Sequence, residues 1–427
     1  MLFKPKVNMP RSSVLLPFAW LFLATALIKV DNEEAVHPFF RLMIFLVLPF
    51  ALLQLGGLAL KTRFSAKSWF WLFLPGYLVI YPFATIAFEV NHDDLRQIKD
   101  VLYNISLYCI FFAAIKYFFS DTEGYLDVQR LGRFWVLFAM WQSIFAVAFF
   151  MGLRVPIGFG FEFRQMEGFD NRLHGFMGTP SHLGPVVAVA CAFLVIQKLT
   201  ILSASKLAFL LVVLVMTGSR GTLVGLLGAV GLNFLLSIKH FRLRLGALLP
   251  LAFGVGLVAC LVVVFPDHMA DVVSMASRAD PEGWEKSRPV MWALRLEEFA
   301  KRDLATQLFG AGHRAVGQTF NVNIDFLVNY GLIYLMFFNL LFMAVCWTFF
   351  KRSHWVRDPN AAFVLMVGVS SYLFMQCLNP IFYAFIHGTQ ICMVIILIAY
   401  FERRVPPASS NLLSGRIPNL RCSTVPL

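Results

Sequence analysis

The sequence has few charged residues and no clustered cysteines. Only 14% of its 427 residues are charged, against about 25% in a typical soluble domain, and 59% are hydrophobic, against about 45–50%. This balance excludes an ordinary soluble domain and indicates a polytopic membrane protein. The seven cysteines form no CxxC and no Cys/His cluster, so neither a zinc site nor a disulfide framework is indicated.

The charge that remains is strongly positive. The formal net charge is +12, yet no nucleic-acid-binding motif accompanies it. In a membrane protein, basic residues mostly set the orientation and contact anionic lipid headgroups. We therefore expect membrane lipids, and no nucleic acid, among the partners.

Apolar runs recur along the whole chain. A helix needs about 20 apolar residues to cross a bilayer. Twelve runs meet this requirement: 13–29, 39–60, 69–88, 101–119, 134–152, 182–198, 203–218, 221–238, 245–265, 326–350, 361–378 and 382–401. The predicted fold is therefore an all-α polytopic membrane protein with about twelve transmembrane helices.

Lysine and arginine are concentrated in alternate short loops and near both ends of the chain. The positive-inside rule then makes both termini cytoplasmic. Residues 1–265 hold helices one to nine, with a smaller outward loop at 153–181, and residues 266–325 form a large outward loop. Residues 326–401 hold the last three helices, and residues 402–427 form a cytoplasmic tail that we expect to be disordered.

Arginines are numerous in the outward segments and at their membrane boundary. They are Arg154, Arg164, Arg172, Arg220, Arg288, Arg295 and Arg314. Guanidinium groups bind phosphate bidentately, so the set as a whole predicts a polyanion site at the outer membrane face. Taken singly, most of them are also explained as solvated loop charges or headgroup contacts.

Arg220 is the sharpest single candidate. It lies in the short turn 217–221 between two apolar runs, which keeps it close to the hydrocarbon. An arginine there is energetically costly and usually functional. The alternative is an interfacial arginine whose side chain extends toward water.

Residues 288–302 have the pattern of an amphipathic helix within the large loop. Ser287 is a plausible N-cap, and helical spacing puts Arg288, Trp292 and Arg295 on one face. Arg288 at the N-terminal end would direct both its guanidinium and the helix dipole toward an anion. A surface helix without a substrate role is the alternative, and Arg295 fits a solvated or packing position.

Three short stretches resemble those of one family. They are Asn171–Pro180 (NRLHGFMGTP), Thr217–Gly221 (TGSRG), and Ser287–Trp292 (SRPVMW) with Leu308–His313 (LFGAGH) after it. In order and spacing they are similar to the motifs of the superfamily of O-antigen ligases and O-antigen or exopolysaccharide polymerases. The resemblance covers roughly residues 165–345.

This resemblance implies a polyprenyl-pyrophosphate-dependent glycosyltransferase of the bacterial inner membrane, in which the large loop is periplasmic. Such enzymes transfer a lipid-linked oligosaccharide to a glycan acceptor on the periplasmic side without a metal ion or other cofactor. Assembly with other polysaccharide-export proteins is also compatible with it. Arg220 and Arg288 would then stabilise the donor pyrophosphate, and the remaining substrate contacts would come from Arg172, His174, Trp292, Gly312 and Arg314.

The general base has two candidates. His313 follows the glycine turn 310–312, and a group that titrates near neutral pH suits proton removal from an acceptor hydroxyl. Asp325, at the start of the next apolar run, is the alternative base, although it could instead cap that helix.

The sequence departs from the ligase branch of the family. Ligases carry a histidine near the start of this next span and a glycine ten residues further on. Residues 321–331 contain no histidine. His313 lies upstream of them, and the position ten residues after its neighbour Arg314 is Ile324 rather than glycine. We therefore expect a polymerase of O-antigen, capsule or exopolysaccharide, with a ligase that transfers glycan to lipid A-core as the alternative. A transporter or flippase is the competitor from another class, because twelve spans with both ends inside fit that class too.

Overall fold

The computed structural model of the protein describes Phe119 and residues 127–158, 161–163, 172–177, 180–197, 200–238, 288–311, 321–352 and 363–367. Several predictions lie outside these residues. They concern Gly312, His313, Arg314, Ser287, the tail 402–427, the spans 13–29, 39–60, 69–88, 245–265 and 382–401, and most of the spans 101–119 and 361–378.

The described residues are predominantly α-helical, as predicted. The helices are α1 (Val128–Phe150), α2 (Pro180–Ile196), α3 (Ile201–Met216), α4 (Arg220–Ile238), α5 (Arg288–Ala300), α6 (Leu304–Phe309) and α7 (Val322–Arg352). The first four match the predicted runs 134–152, 182–198, 203–218 and 221–238, and α5 matches the predicted amphipathic helix. One small element was not predicted. Strands β1 (Val155–Gly158) and β2 (Phe161–Phe163) form an antiparallel pair in the loop after α1.

Length and composition support a membrane protein. Among the described residues, two helices are long and apolar enough to cross a bilayer, Val128–Phe150 and Asn323–Leu340. Shorter apolar helices cover Leu183–Ile196, Ile201–Met216 and Gly221–Gly231. The number of twelve spans and the location of both termini stay predictions.

Helix α1 packs closely against α2. The indole Nε1 of Trp135, a fully buried side chain, donates to the carbonyl of Val186 at 2.9 Å. Three residues earlier, Gly132 leaves the space that the ring of Phe193 occupies. As α1 advances from 132 to 135, its partner positions in α2 go back from 193 to 186, so the two helices run antiparallel. Small residues at such contacts allow close approach of apolar helices.

Helix α7 is broken at Gly331. The glycine has φ 82° and ψ 174°, a conformation that is strained for any side chain with a Cβ. Asn339 donates from Nδ2 to Asn323 Oδ1 at 3.1 Å, and the rings of Phe326 and Phe338 lie 4.8 Å apart between centroids. Sixteen residues along a straight helix would separate the two asparagines by about 24 Å. The arms 322–330 and 332–352 therefore fold back on each other, and we call them the hairpin.

This break corrects one expectation. The sequence predicted a single continuous span over 326–350, and the residue count of Asn323–Leu340 also satisfies that requirement. The segment is helical, but it is not one straight rod. An arm of about nine residues rises only about 14 Å, whereas 332–352 rises about 31 Å. Only the second arm is long enough to cross a bilayer of about 30 Å alone.

The residues that follow α5 and α6 contact the chain around this break. Arg302 Nη1 donates to the carbonyl of Val328, which lies in the first arm just before Gly331. Gly310, with φ 90°, follows α6, and a Cβ there would collide with the backbone of Asn329 and Tyr330. A Cβ on Gly331 would in turn collide with the carbonyl of Leu308. Two glycine backbones thus meet directly, without side chains between them.

We expect the substitution Gly331→Ala to destabilise the protein by about 2–4 kcal/mol, because it adds both backbone strain and a steric clash. Gly231→Ala is the matched control, since it lies inside α4 and a Cβ there meets nothing within 4 Å. Alanine is favoured over glycine inside a helix by about 1 kcal/mol, so the control should be neutral or stabilising. Thermal unfolding of the two purified variants measures the difference. Equal melting temperatures would show that the break at Gly331 tolerates a side chain.

Candidate functional site

Arg172 joins the first motif to the second. Its Nε donates to the carbonyl of Thr217 at 2.9 Å and its Nη2 to the carbonyl of Gly218 at 3.1 Å. The backbone of the neighbouring Leu173 donates to Met216 at 3.2 Å. The last carbonyls of a helix lack intrahelical partners, and here an arginine 45 residues earlier in the chain supplies donors for the end of α3.

The turn 217–219 between α3 and α4 is compact. Gly218 has φ +59°, and a Cβ there would lie 2.9 Å from Arg172 Nε, so a glycine is needed for both reasons. The carbonyl of Ser219 accepts from the amides of Thr222 and Leu223 at 3.1 Å, and the Ser219 and Thr222 hydroxyl groups are 2.7 Å apart. Arg220 is the first residue of α4.

Helix α2 closes this turn from another side. A Cβ on Gly184 would lie 2.9 Å from Thr222 Oγ1 and 3.0 Å from Ser219 Oγ. The absence of a side chain at position 184 therefore lets α2 pack directly on the two hydroxyl groups. Three parts of the sequence, at 172–177, 184 and 217–222, meet at one end of the helix bundle.

The segment 172–177 is held against α1 by packing. Gly175, with φ +57°, lies so close to α1 that a Cβ would be 2.9 Å from the carbonyl oxygen of Gln142. The ring of Phe176 packs on the rings of Trp141, Phe145 and Phe149, with centroids 4.8–5.1 Å apart. Aromatic pairs in this range are favourable beyond the area that they bury. The segment thus packs between α1 and the end of α3.

Six polar side chains of these segments and of α1 are buried, and we call them the polar layer. They are Gln142, Ser143, His174, Thr217, Ser219 and Thr222. All of the buried polar residues described between 127 and 238 belong to this set. Polar groups buried in an apolar bundle are costly and usually mark a functional site. The layer is therefore the candidate site of this part of the chain.

Two members of the polar layer stand out. Gln142 and Ser143 are fully buried on α1, and no described residue donates to or accepts from their side-chain amide and hydroxyl groups. A buried group without a hydrogen bond costs about 1–3 kcal/mol. Native structures contain few such groups, and each calls for an explanation.

The surroundings of His174 favour its neutral form. Burial lowers the pKa of its imidazole below the usual value of 6.5, and a hydrogen bond between Nδ1 and the carbonyl of Gly175, at 2.9 Å, opposes that change in part. The ring is 1% exposed. An uncharged His174 adds hydrogen-bonding capacity to the polar layer without adding charge.

The third motif begins a helix, as the second does. Arg288 is the first residue of α5, so Arg220 and Arg288 each stand at a helix N-terminus, where backbone amides favour anions. Trp292 and Arg295 follow at helical spacing, and Trp292 is half-buried. Arg295 pairs with Glu298 at 2.7 Å in an exposed position, which agrees with a solvated residue. The end of α5 and the end of α6 contact the hairpin, through Arg302 and Gly310.

Gly310, the first residue of the glycine turn, makes its close contact with the backbone of Asn329 and Tyr330. One expectation near the hairpin needs correction. Asp325 was considered as a helix cap, but Asn321 supplies that cap, because its Oδ1 accepts from the amides of Asn323 and Ile324 at 3.0 and 3.2 Å. Asp325 lies in the first turn of α7 and is 1% exposed.

Comparisons with known proteins add no identity. The chain matches no model of a known protein family and no curated protein. Among the described residues, no group of three or more His, Cys, Asp or Glu side chains could hold a metal ion. The structure itself therefore provides the argument for a site.

Sequence reasoning found part of this site. It selected Arg172, His174 and Arg220, which the structure places in or beside the polar layer. It missed Gln142 and Ser143. Their signal was present, since two adjacent polar residues interrupt the apolar run 134–152.

We expect Arg172→Lys to destabilise the protein by about 1–3 kcal/mol, because an ammonium group cannot donate to both carbonyls from one planar fork. Arg133→Lys is the control, since Arg133 is exposed and makes one long bond of 3.3 Å to the carbonyl of Gln129. Melting temperatures of the purified variants provide the comparison. If both fall equally, Arg172 does not hold the end of α3.

His174 makes stability depend on pH. Because its pKa is lowered in the folded state, the unfolded chain takes up the proton first. The stabilisation is fully present above about pH 6.5 and is lost as the pH falls through the folded pKa. We expect the melting temperature to fall between pH 7 and pH 5 less steeply in His174→Gln than in the parent protein. Parallel pH profiles would contradict this.

Proposed function

We propose that the protein is an inner-membrane glycan polymerase that joins polyprenyl-pyrophosphate-linked oligosaccharide repeat units on the periplasmic face. The observation that carries this proposal is the pair of hydrogen bonds from Arg172 to Thr217 and Gly218. They bring together two of the three motifs on which the resemblance to such polymerases rests. The proposal includes twelve spans with both termini in the cytoplasm.

Arginine suits the leaving group of this reaction. When the glycosidic bond to the lipid pyrophosphate breaks, negative charge develops on the pyrophosphate oxygen. Preorganised donors directed at such developing charge give the largest rate effects in many enzymes. Arg220 and Arg288 each begin a helix, so guanidinium and backbone amides would act on the same anion. Arg172 would hold the turn that carries Arg220.

The acceptor sugar needs a base for its hydroxyl proton. We assign this role to His313, which follows the glycine turn after α6. Asp325 stays the alternative, but with 1% exposure it would need the hairpin to open before a substrate could reach it. The polymerase is preferred to a ligase because residues 321–331 contain no histidine.

One observation favours a transporter instead. Transporters use broken helices with buried polar residues near the bilayer centre. Helix α7 is broken at Gly331, and Asp325 and Asn329 in its first arm are buried. A transporter or flippase is therefore the second candidate.

The two candidates differ in what they do to the same substrate. Purified protein in vesicles is given lipid-linked repeat units, and the products are separated on a gel. A ladder of polymer supports the polymerase, whereas a single transfer to added lipid A-core supports a ligase. Movement of unchanged substrate across the vesicle membrane, without new glycosidic bonds, would overturn the enzyme and support the transporter.

We expect Arg288→Lys to lower polymer formation by at least about 100-fold, the usual effect of removing one donor to a developing oxyanion. Expression and melting temperature should be unchanged. Arg295→Lys is the matched control, because Arg295 lies two turns further along α5 and pairs with the exposed Glu298. It should retain near-normal activity. Equal activity of both variants would remove Arg288 from the site.

A further inference from the structure

Gln142 and Ser143 provide unused hydrogen-bonding capacity inside the bundle. The amide offers two donors and one acceptor oxygen, and the hydroxyl offers one donor and two lone pairs. Both side chains are 0% exposed, and none of these groups is paired with a described residue. A buried serine in a helix commonly bonds back to a carbonyl one turn earlier, but Ser143 does not. Two adjacent side chains on one helix thus lack a partner among the described residues.

The main chain at Gln142 lies against the segment 172–177. The carbonyl of Gln142 directly contacts Gly175, and the stacked ring of Phe176 covers the neighbouring Trp141. The segment 172–177 thus lies over this part of α1. Its other end is attached to the turn that carries Arg220, through Arg172. The segment 172–177 therefore connects this part of α1 to the turn that carries Arg220.

The chemistry of the surroundings selects a neutral ligand. An amide and a hydroxyl carry no charge, and burial lowers the pKa of His174 in the same polar layer, which favours its neutral form. The guanidinium of Arg172 donates to two carbonyls. Phosphate binding relies on charge-assisted donors, which this pair does not offer. Hydroxyl groups, which both donate and accept, match the pair.

We propose that Gln142 and Ser143 form a hydroxyl-binding subsite for a sugar of the lipid-linked glycan, which requires the segment 172–177 to move away from α1 when substrate binds. The inference rests on the proposed function, because it needs a glycan beside the pyrophosphate. A buried water molecule has the same hydroxyl chemistry and is the other source that an experiment must separate. A sugar subsite makes the pair important for substrate, whereas a water makes it important for stability.

The test uses Gln142→Met and Ser143→Ala in the full-length protein. Each replaces a buried polar group with an apolar one of similar size. Melting temperatures are measured alone, with polyprenyl pyrophosphate, and with polyprenyl-pyrophosphate-linked repeat units from the cells that make the protein. Gln129→Met is the control on the same helix, because Gln129 accepts from Gln197 at 3.1 Å and is therefore satisfied.

We expect both variants to melt at the parent temperature or up to about 2 °C above it, since they remove buried groups that have no partner among the described residues. The upward shift with polyprenyl pyrophosphate should persist, while the additional shift from the attached glycan should fall by at least about half. The KM for polymerisation should rise about 10-fold. Gln129→Met should keep both shifts.

Two results would overturn the subsite while leaving the polymerase intact. A fall of several degrees with the glycan-dependent shift unchanged would identify a structural water. An unchanged or higher melting temperature with the glycan-dependent shift unchanged would identify a pair that binds nothing. If the parent protein forms no polymer and neither lipid shifts its melting temperature, the proposed function fails and the subsite fails with it.

Discussion

The carbonyls at the end of α3 impose the constraint on which the rest of this site depends. A helix that ends inside an apolar bundle leaves acceptors that water cannot easily reach, so the chain must provide donors. Arg172 does so from a distant part of the sequence. This requirement fixes the segment 172–177, and through it Phe176 and Gly175 fix the approach to α1. The start of α4, with Arg220, follows directly from the same turn.

Side chains also donate to the carbonyls of an interrupted helix in a second region. Arg302 donates to the carbonyl of Val328, close to the break in α7. Gln307 donates to the carbonyls of Ala300 and Arg302 at the end of α5. In both regions a helix is interrupted, and a long polar side chain from another segment satisfies its carbonyls. Some of the positive charge in this protein therefore serves backbone hydrogen bonding as well as any anion.

Sequence reasoning predicted what depends on local pattern. Apolar runs predicted α1 to α4, and Pro180 starts α2 where a proline is tolerated. The break at Gly331 was not predictable, because a glycine within an apolar run is compatible with a continuous helix until a neighbour such as Gly310 is known. The role of Arg172 was missed for a similar reason. Its type predicted anion binding, whereas its carbonyl partners depend on tertiary packing across 45 residues. Whether Arg220 and Arg288 act together stays a prediction.

The contact between Gly310 and Gly331 restricts which residues can replace either glycine. Each glycine is required by the backbone of the other's segment, since a Cβ on either would enter the opposite main chain. Replacing one would displace the opposite main chain, so the second replacement should add little further steric clash, although the strain of its own positive φ would remain. The steric parts of the two effects on the free energy of unfolding should therefore be sub-additive. The two glycines are therefore coupled through their shared contact, while the backbone conformation of each favours glycine independently.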